Sequence, residues 1–165
     1  MAQSTISNKF VTSFSEIYVS DADTTGAADA TALETLISGD KVSLVSEIGS
    51  IANEANVIDV PEFGASFKGK LRGQLDAGQL DSVLYWSPRD AAHLSLRTSA
   101  ETGAVVWVTV KWVDTSTAVN GAEYVTFKGF VSSFGIDTSF DDVAKANVTF
   151  VIDGALTFIE GTIAP

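Results

Sequence analysis

Two long runs of β-branched and aromatic residues, separated by a short segment, constrain the fold of this chain most strongly. The runs cover residues 104–113 and 123–132, and the loop at 114–121 ends in Asn120-Gly121. β-branched and aromatic residues favour strands, and an Asn-Gly pair favours the positive-φ bend of a tight turn. The sequence therefore predicts a long antiparallel hairpin over residues 104–132.

Alternation of apolar and polar residues predicts further strands on both sides of this hairpin. In residues 143–152, every second residue is apolar from Ala144 to Ile152, which indicates one buried face. The other predicted strands are residues 41–51, 56–60, 66–71 and 79–86, with a short one within 156–159. Residues 72–78 are interpreted as a connection between strands, and residues 134–142 as a loop.

A first short helix is predicted at about residues 29–38. Thr31 and Glu34 have the spacing of a capping box, and Gly39 is placed to end the helix. The predicted buried side consists of Leu33, Leu36 and Ile37.

A second helix is predicted at about residues 88–101. Ser87 is placed at its N-cap, Pro88 at its first position and Gly103 at its end. Its apolar side consists of Ala91, Leu94, Leu96 and Ala100. Because strands do not alternate with long helices, the predicted fold is mainly β, an antiparallel β-sandwich or barrel with one or two short flanking helices.

Nothing divides the chain into several domains, since 165 residues fit one domain and no linker rich in Pro or Gly interrupts them. Residues 1–19 are predicted to form an N-terminal arm or edge strand, and residues 20–165 a single domain. Residues 1–14 lack the basic start and apolar core of a signal peptide. No apolar run approaches the roughly 20 residues that span a bilayer, so no membrane partner is expected.

The charge and hydropathy of the chain argue against nucleic acid as a tightly bound partner and favour contacts with other subunits. The net charge is −11, whereas proteins that hold nucleic acid do so mainly with Lys and Arg. Hydrophobic residues make up 45% of the chain and charged residues 19%. This balance predicts that part of the apolar surface is buried between subunits.

The residues that carry catalysis or bind metals are scarce. The chain has no cysteine, and His93 is its only histidine, so neither a triad nor a histidine metal site is available. His93 is interpreted as a helix-surface or interface residue. Asp137, Asp141, Asp142 and Asp153 lack the spacing of an EF-hand loop and are interpreted as solvated charges. No catalytic residue, metal or cofactor is predicted.

Several short phrases occur in an order that points to a family. They are residues 47–51 (Glu-Ile-Gly-Ser-Ile), 56–60 closing on Phe63-Gly64, 73–78, the helix start at 86–90, and 141–143 before 148–150. In this order, residues 42–158 resemble the tail tube proteins (major tail proteins) of long-tailed bacteriophages. The related inner tubes of contractile tails and of type VI secretion share the resemblance.

The resemblance implies a structural subunit of the virion tail, made in the bacterial host cytoplasm. Six copies would form a ring whose inner strands join into one barrel, and rings would stack around a channel that genomic DNA crosses without specific binding. An acidic surface suits such a channel because it repels phosphates. A loop or long hairpin and the N-terminal arm would contact neighbouring rings. The tail terminator, tape measure and distal tail proteins are the other implied partners, whereas residues 20–39 have no counterpart in the family pattern.

Residues 56–67 are predicted to lie at a subunit contact, because their apolar and charged residues form neither a half-buried strand nor a solvated loop. Lys68, Lys70 and Arg72 alternate along the next predicted strand. Three bases would hold a DNA duplex poorly, so an acidic surface of the next subunit is their expected partner. The candidate contact residues are Val57, Asp59, Phe63, Phe67, Lys68, Lys70 and Arg72.

The alternative function is a monomeric β-sandwich binding module that binds a carbohydrate or a receptor through exposed aromatic residues. Self-association separates the two functions, because a tube protein forms rings or polymers and a binding module stays monomeric. An enzyme is a third possibility, and no motif supports it.

Overall fold

The computed structural model describes residues 15–61, 64, 67–113 and 122–160, and all structural statements below refer to these residues. The elements are β1 Glu16–Ser20, α1 Ala30–Leu36, β2 Lys41–Val42, β3 Val45–Ile48, β4 Glu54–Val60, β5 Gly69–Asp76, β6 Gln79–Tyr85, α2 Ala91–Thr102, β7 Val105–Val113, β8 Ala122–Asp137, β9 Lys145–Ile152 and β10 Thr157–Glu160. Every strand pair is antiparallel. The predicted fold class, a mainly antiparallel β sandwich-like fold with two short helices, is confirmed.

One curved sheet forms the body of the subunit. Its strand order is β2-β1-β7-β8-β9-β6-β3, and β10 also pairs with β8. The end strands β2 and β3 are joined by Ser43 and Leu44 alone. Three Cα steps of about 3.8 Å keep the two ends of the sheet within about 11 Å of each other. The sheet therefore curls until its two halves face each other across one core.

The core is filled by the inward-facing residues of the alternating strands. The hairpin predicted at 104–132 is confirmed as β7 and β8, although its loop at 114–121 lies outside the described residues. The face predicted for residues 143–152 is also confirmed, because β9 buries alternate residues from Ala146 to Ile152. The main buried cluster includes Ile17, Val42, Leu80, Leu84, Leu96, Val106, Val108, Val110, Phe127, Val131, Val148 and Phe150.

Residues 20–39 cover the outer side of β7 and β8. Thr24 is fully buried there, and its hydroxyl lies 2.5 Å from that of Thr126, which also accepts a hydrogen bond from Thr109 at 3.1 Å. A second, smaller apolar cluster lies beneath α1 and consists of Ala30, Leu33, Ile37, Tyr124 and Ile159. This segment therefore gives the outer face of the sheet its own small core.

The predicted start of α1 is wrong. Asp29 caps the helix instead of Thr31, since its carboxylate accepts a hydrogen bond from the Ala32 amide at 2.8 Å. Leu36 is 41% exposed although it was predicted to be buried. A helix of two turns contacts the sheet along one narrow row, and Leu33 and Ile37, four residues apart, occupy that row.

The start and the buried side of α2 also differ from the prediction. Residues 87–90 form a turn, and Asp90 caps the helix by accepting a hydrogen bond from the Ala92 amide at 2.9 Å. Gly103 ends the helix in the left-handed region, as predicted. The buried residues are His93, Leu96 and Ser99, while Ala91 and Leu94 are exposed. Neither described helix is long and apolar enough to cross a membrane.

Three strand boundaries need correction. Residues 41–51 form two strands because Leu44, at φ 58°, bends the chain between β2 and β3. Residues 72–76 belong to β5, so the predicted connection at 72–78 shrinks to Ala77 and Gly78. Residues 134–137 continue β8 because they pair with the start of β9. The strands predicted at 56–60 and within 156–159 are confirmed as β4 and β10.

Candidate assembly surfaces

β4 and β5 form a separate two-stranded hairpin that projects from the body. Both of its connections leave the same end of the body, because Gly49 follows β3 and donates a hydrogen bond to the Asp81 carbonyl near the start of β6. Strands of this length extend about 20–25 Å. Side chains on both faces are exposed, including Val57 at 56% and Leu71 at 59%, so the described body covers neither face.

One face of the hairpin gathers most of the predicted contact residues. Val57 lies opposite Arg72 and Asp59 lies opposite Lys70, and directly opposed residues share a face of the sheet. Lys68 immediately precedes β5 and is exposed. The other two candidates lie near the tip: Phe67 is 88% exposed, whereas Phe63 lies outside the described residues.

The opposite face of the hairpin is apolar, and sequence reasoning missed it. Ile58 lies opposite Leu71, and the two side chains are 49% and 59% exposed. Beyond the bulge in the register, Ala55 and Leu75 lie on the face of Val57. The available signal was that Ile58 and Leu71 each lie next to a charged residue, Asp59 or Lys70, and therefore point to the other side of the strand. The hairpin therefore presents Asp59, Lys70 and Arg72 on one side and the apolar pair Ile58 and Leu71 on the other.

The basic residues of the hairpin form no ion pair with the described part of the chain. Other bases are paired, as Lys41–Glu16, Arg97–Glu101, Lys111–Glu34, Lys128–Asp153 and Lys145–Asp142. The described bases outside these pairs are Lys68, Lys70, Arg72 and Arg89. Three of these four lie on the hairpin, which is a local concentration of positive charge in a chain of net charge −11.

The opposite end of the body carries an acidic turn with exposed apolar side chains. Residues 138–144 join β8 to β9, and β9 begins opposite Tyr85, the last residue of β6. The hairpin leaves near the first residue of β6, about 20 Å away along a seven-residue strand. Phe140 is fully exposed and Val143 is 60% exposed. Asp141 and Asp142 lie between them.

The outer side of β6, β9 and the end of β8 is polar and is not covered by either helix. Thr149 donates a hydrogen bond to Asp81 at 2.7 Å, and Asn147 donates one to Asp137 at 2.6 Å. The outward-facing residues are Gln79, Asp81, Val83, Tyr85, Ser133, Gly135, Asp137, Lys145, Asn147, Thr149 and Val151. We call this surface the polar face.

His93 is fully buried, so its assignment to a helix surface or interface is wrong. Its Nδ1 accepts a hydrogen bond from the Ser87 amide at 3.1 Å, so Nε2 carries the proton and donates to the Ser43 carbonyl at 2.9 Å. Its ring stacks on Trp86. The Ser43 hydroxyl also donates to Asp90, which lowers the pKa of that carboxyl. His93 therefore fastens α2 to the short link between the ends of the sheet, and neither ring nitrogen is available for chemistry.

A charged cluster fastens α1 to the sheet. Lys111 and the Tyr124 hydroxyl both donate to the Glu34 carboxylate, at 2.8 and 2.5 Å. Both hydrogen bonds lower the pKa of Glu34, and the one from Lys111 has the larger effect. Burial opposes the charge on Lys111, but the Glu34 carboxylate outweighs it and raises the pKa of the amine.

The described residues offer no cluster of three or more side chains arranged to hold a metal ion. Asp141 and Asp142 precede β9, whereas Asp153 follows its last residue and pairs with Lys128. The four acids considered as a calcium site therefore do not converge.

Comparison with known proteins gives a family match and several similar folds. Residues 9–161 match the family model described as phage tail tube, TTP, lambda-like. No curated protein sequence matches the chain. Among solved structures, a chain of the tail of an empty gene transfer agent particle, determined with C6 symmetry, is 14% identical with a TM-score of 0.56, covering 86% of this chain and 94% of that one.

Two further structures have the same fold. The SPP1 tail tube protein is 10% identical with a TM-score of 0.59, covering 91% of this chain and 78% of that one. A chain of the extended PVC sheath-tube complex, an extracellular contractile injection system, is 13% identical with a TM-score of 0.62, covering 99% of both chains. At these identities the likeness establishes the fold alone.

Proposed function

Because this chain belongs to the lambda-like phage tail tube family, we propose that its six-membered rings stack into the tube of the virion tail and enclose the channel for DNA. The observation that carries the proposal is the family match over residues 9–161. The chain is accordingly a structural component of the virion tail. The C6 symmetry of the gene transfer agent tail supports six copies per ring.

Two strand edges of the body support ring closure. Within the described part of the chain, β3 pairs only with β6, and β8 beyond Phe130 pairs only with β9. These edges flank the four-strand section β8-β9-β6-β3 and run antiparallel to each other. Pairing the β8 edge of one copy with the β3 edge of the next joins six sections into one barrel. About 24 strands at a 40° tilt give a backbone diameter of about 45–50 Å, which leaves room for a DNA duplex.

In this arrangement the polar face lines the channel. Its exposed acids are Asp81 and Asp137, and Glu47 on β3 faces the same side, whereas its base Lys145 is paired with Asp142. Repetition around a ring multiplies the negative charge, which repels phosphates and lets DNA slide without specific binding. The outer side of the other half of the curled sheet, at β7 and the start of β8, cannot serve as this wall because residues 20–39 cover part of it.

The proposal includes the division into an N-terminal arm or strand over residues 1–19 and a single domain over residues 20–165, although residues 16–19 belong to β1 within the sheet of the body. It also includes a purely structural, non-enzymatic role. The contact residues predicted on the β4–β5 hairpin belong to it as subunit contacts. The other partners are the tail terminator, the tape measure and the distal tail proteins that the family implies.

The decisive experiment is negative-stain microscopy of the purified protein together with light scattering after size exclusion. We expect sixfold rings and tubes with a central channel. A strictly monomeric species at all concentrations would overturn the proposal and would favour the carbohydrate- or receptor-binding module.

A second experiment tests the wall of the channel. Asp81→Lys together with Asp137→Lys should leave tubes intact but make them retain short duplex DNA, because the repulsive charge is reversed. Glu101→Lys on the exposed side of α2 is the matched control and should not retain DNA. Equal retention by both variants would contradict the assignment of the polar face.

A further inference from the structure

We propose that residues 8–14 of the free subunit dock along the open edge of β3 and cover the edge that the next copy needs for ring closure. The inference rests on the proposed function, because it adds a competitor within the same chain for an edge that closes the ring. The occupant of this surface is therefore a named segment of this chain, and it directly precedes the described residues.

A groove between the two halves of the curled sheet receives the segment. The groove has a volume of about 290 Å³ and follows residues 45–49, which form β3 and its end. Its other lining residues are Ser15, just before β1, and Trp112, near the end of β7. The first described residue of the chain thus lies in the wall of the groove, so residues 8–14 need no linker to reach it.

The directions of the strands lead the chain along β3. β1 pairs antiparallel with β2, with Ile17 opposite Val42, and β3 follows β2 after two residues. A backward continuation of β1 from Ser15 therefore passes the bend at Leu44 and runs antiparallel to β3. β3 has four residues, whereas residues 8–14 reach about 20–25 Å as a strand and can cover its whole length.

The groove has both polar and apolar groups to satisfy. Because β3 pairs only with β6 within the described part of the chain, its other edge holds backbone donors and acceptors that are open to a further strand. The Ser15 hydroxyl is buried and has no hydrogen-bond partner among the described residues, which is costly unless another segment supplies one. Val45, Ile48 and Trp112 contact the core but remain partly exposed.

Residues 8–14 match these requirements. Their sequence is Asn-Lys-Phe-Val-Thr-Ser-Phe, which favours a strand and has no proline, so every backbone amide can donate. Phe10, Val11 and Phe14 supply apolar side chains for the groove. Residues 1–15 contain one base, Lys9, and no acid, so in a chain of net charge −11 this segment can approach Glu47 on β3 without repulsion.

Docking of the segment regulates ring closure. Residues 8–14 and the β8 edge of the next copy cannot pair with the same β3 edge at once. If about nine in ten free subunits are covered, the protein concentration needed for rings rises about tenfold. The covered edge also protects the free subunit from pairing with other chains in the wrong register.

Cross-linking tests the docked position, because the chain has no cysteine. Thr12→Cys and Ser46→Cys are combined in one chain, and the dilute protein is treated with a short bis-maleimide whose spacer contains a reducible disulfide. We expect a link within one chain, which leaves the mass of a monomer. The linked protein should stay out of rings until the spacer is reduced.

Thr12→Cys combined with Thr102→Cys is the matched control for the cross-link. Thr102 is exposed and precedes the start of β7, whereas Trp112 in the groove lies near the end of that strand. The seven steps from Val105 to Trp112 separate the two sites by about 23 Å. The control should therefore give no link above background.

Substitutions in the segment test its effect on assembly. Phe10→Asp combined with Phe14→Asp removes two apolar side chains and adds repulsion towards Glu47, and Thr12→Pro interrupts the strand by another route. Both variants should form rings at about one-tenth of the parent concentration, measured by light scattering and negative-stain microscopy. Ser4→Asp combined with Ser7→Asp adds the same charge before the segment and should leave that concentration unchanged.

The outcomes separate the inference from the function on which it rests. If neither the parent chain nor the two released variants form rings at any concentration, the proposed function itself is contradicted. When rings do form, four results would each overturn the docking of residues 8–14 and leave the ring proposal in place. They are no link within the dilute chain, a link between two chains instead, normal rings from the linked protein, and an unchanged or higher concentration for rings in the released variants.

Discussion

Replacing Leu33 by alanine tests whether residues 20–39 stabilise the subunit. Leu33 is fully buried between α1 and the outer side of the sheet. The substitution removes three carbons, each worth about 0.8 kcal/mol of transfer free energy, and leaves a cavity. The cluster is small and lies near the surface, so partial collapse limits the cavity cost. We expect the free energy of unfolding to fall by about 3 kcal/mol, at the lower end of the range for buried leucines.

Urea and thermal unfolding of dilute protein, followed by circular dichroism, measure the effect. For a chain of this size, 3 kcal/mol lowers the melting temperature by roughly 6–12 °C. Leu36→Ala is the matched control, because it makes the same substitution in the same helix at a residue that is 41% exposed. It should cost less than about 1 kcal/mol. Equal losses for the two variants would refute the assignment of Leu33 to a second core.

Three further predictions concern the glycine, histidine and charged positions of the body. Gly129→Ala should destabilise the fold severely, because a Cβ there would lie 2.3 Å from a backbone carbonyl oxygen of β9. Gly135→Ala on the same strand should be tolerated, because its Cβ would meet nothing within 4 Å. Equal melting temperatures of the two variants would contradict this prediction. His93→Ala should lower the free energy of unfolding by about 2–4 kcal/mol, because it opens a cavity and removes both hydrogen bonds of the ring. Urea unfolding measures this loss. A loss below about 1 kcal/mol would contradict the role of His93 in fastening α2 to the segment between β2 and β3. The lowered pKa of Glu34 contributes stability that is present above the ordinary glutamate pKa of about 4.3 and is lost as the pH falls through the lowered value. Glu34→Gln should therefore flatten the acid limb of the stability curve, and an unchanged limb would show that the pair with Lys111 contributes nothing.

The parts of the fold predicted correctly from the sequence are those with a local signal. Alternation in 104–113 and 143–152 reports burial directly, because each side of a strand meets one environment. β5 was truncated because Gly73 resembles a turn residue. In the structure, Gly73 lies within β5, where a Cβ would come 2.9 Å from the Asn56 carbonyl oxygen. The glycine therefore allows the backbones of β4 and β5 to approach closely and does not form a turn.

The features that the sequence did not reveal depend on distant contacts. The ring of His93 can be buried because its Nε2–H donates a hydrogen bond to the carbonyl of Ser43, 50 residues earlier in the chain. The caps of both helices moved to Asp29 and Asp90, since several neighbouring side chains were competent to cap and tertiary packing selected one. The two faces of the hairpin likewise required the register between β4 and β5, which no single segment encodes.

The pairing of β1 with β7 has a consequence for synthesis of the chain. Ile17 lies opposite Val110, 93 residues later, so β1 leaves the ribosome long before its main partner exists. At about 5–20 residues per second, the delay is roughly 5–19 s. Of the two partners that β1 has among the described strands, the two-residue β2 is the one already synthesised during that time. The charge of Glu16 then disfavours pairing of the exposed β1 edge with other chains. This protection acts before the subunit has folded and can enter a ring.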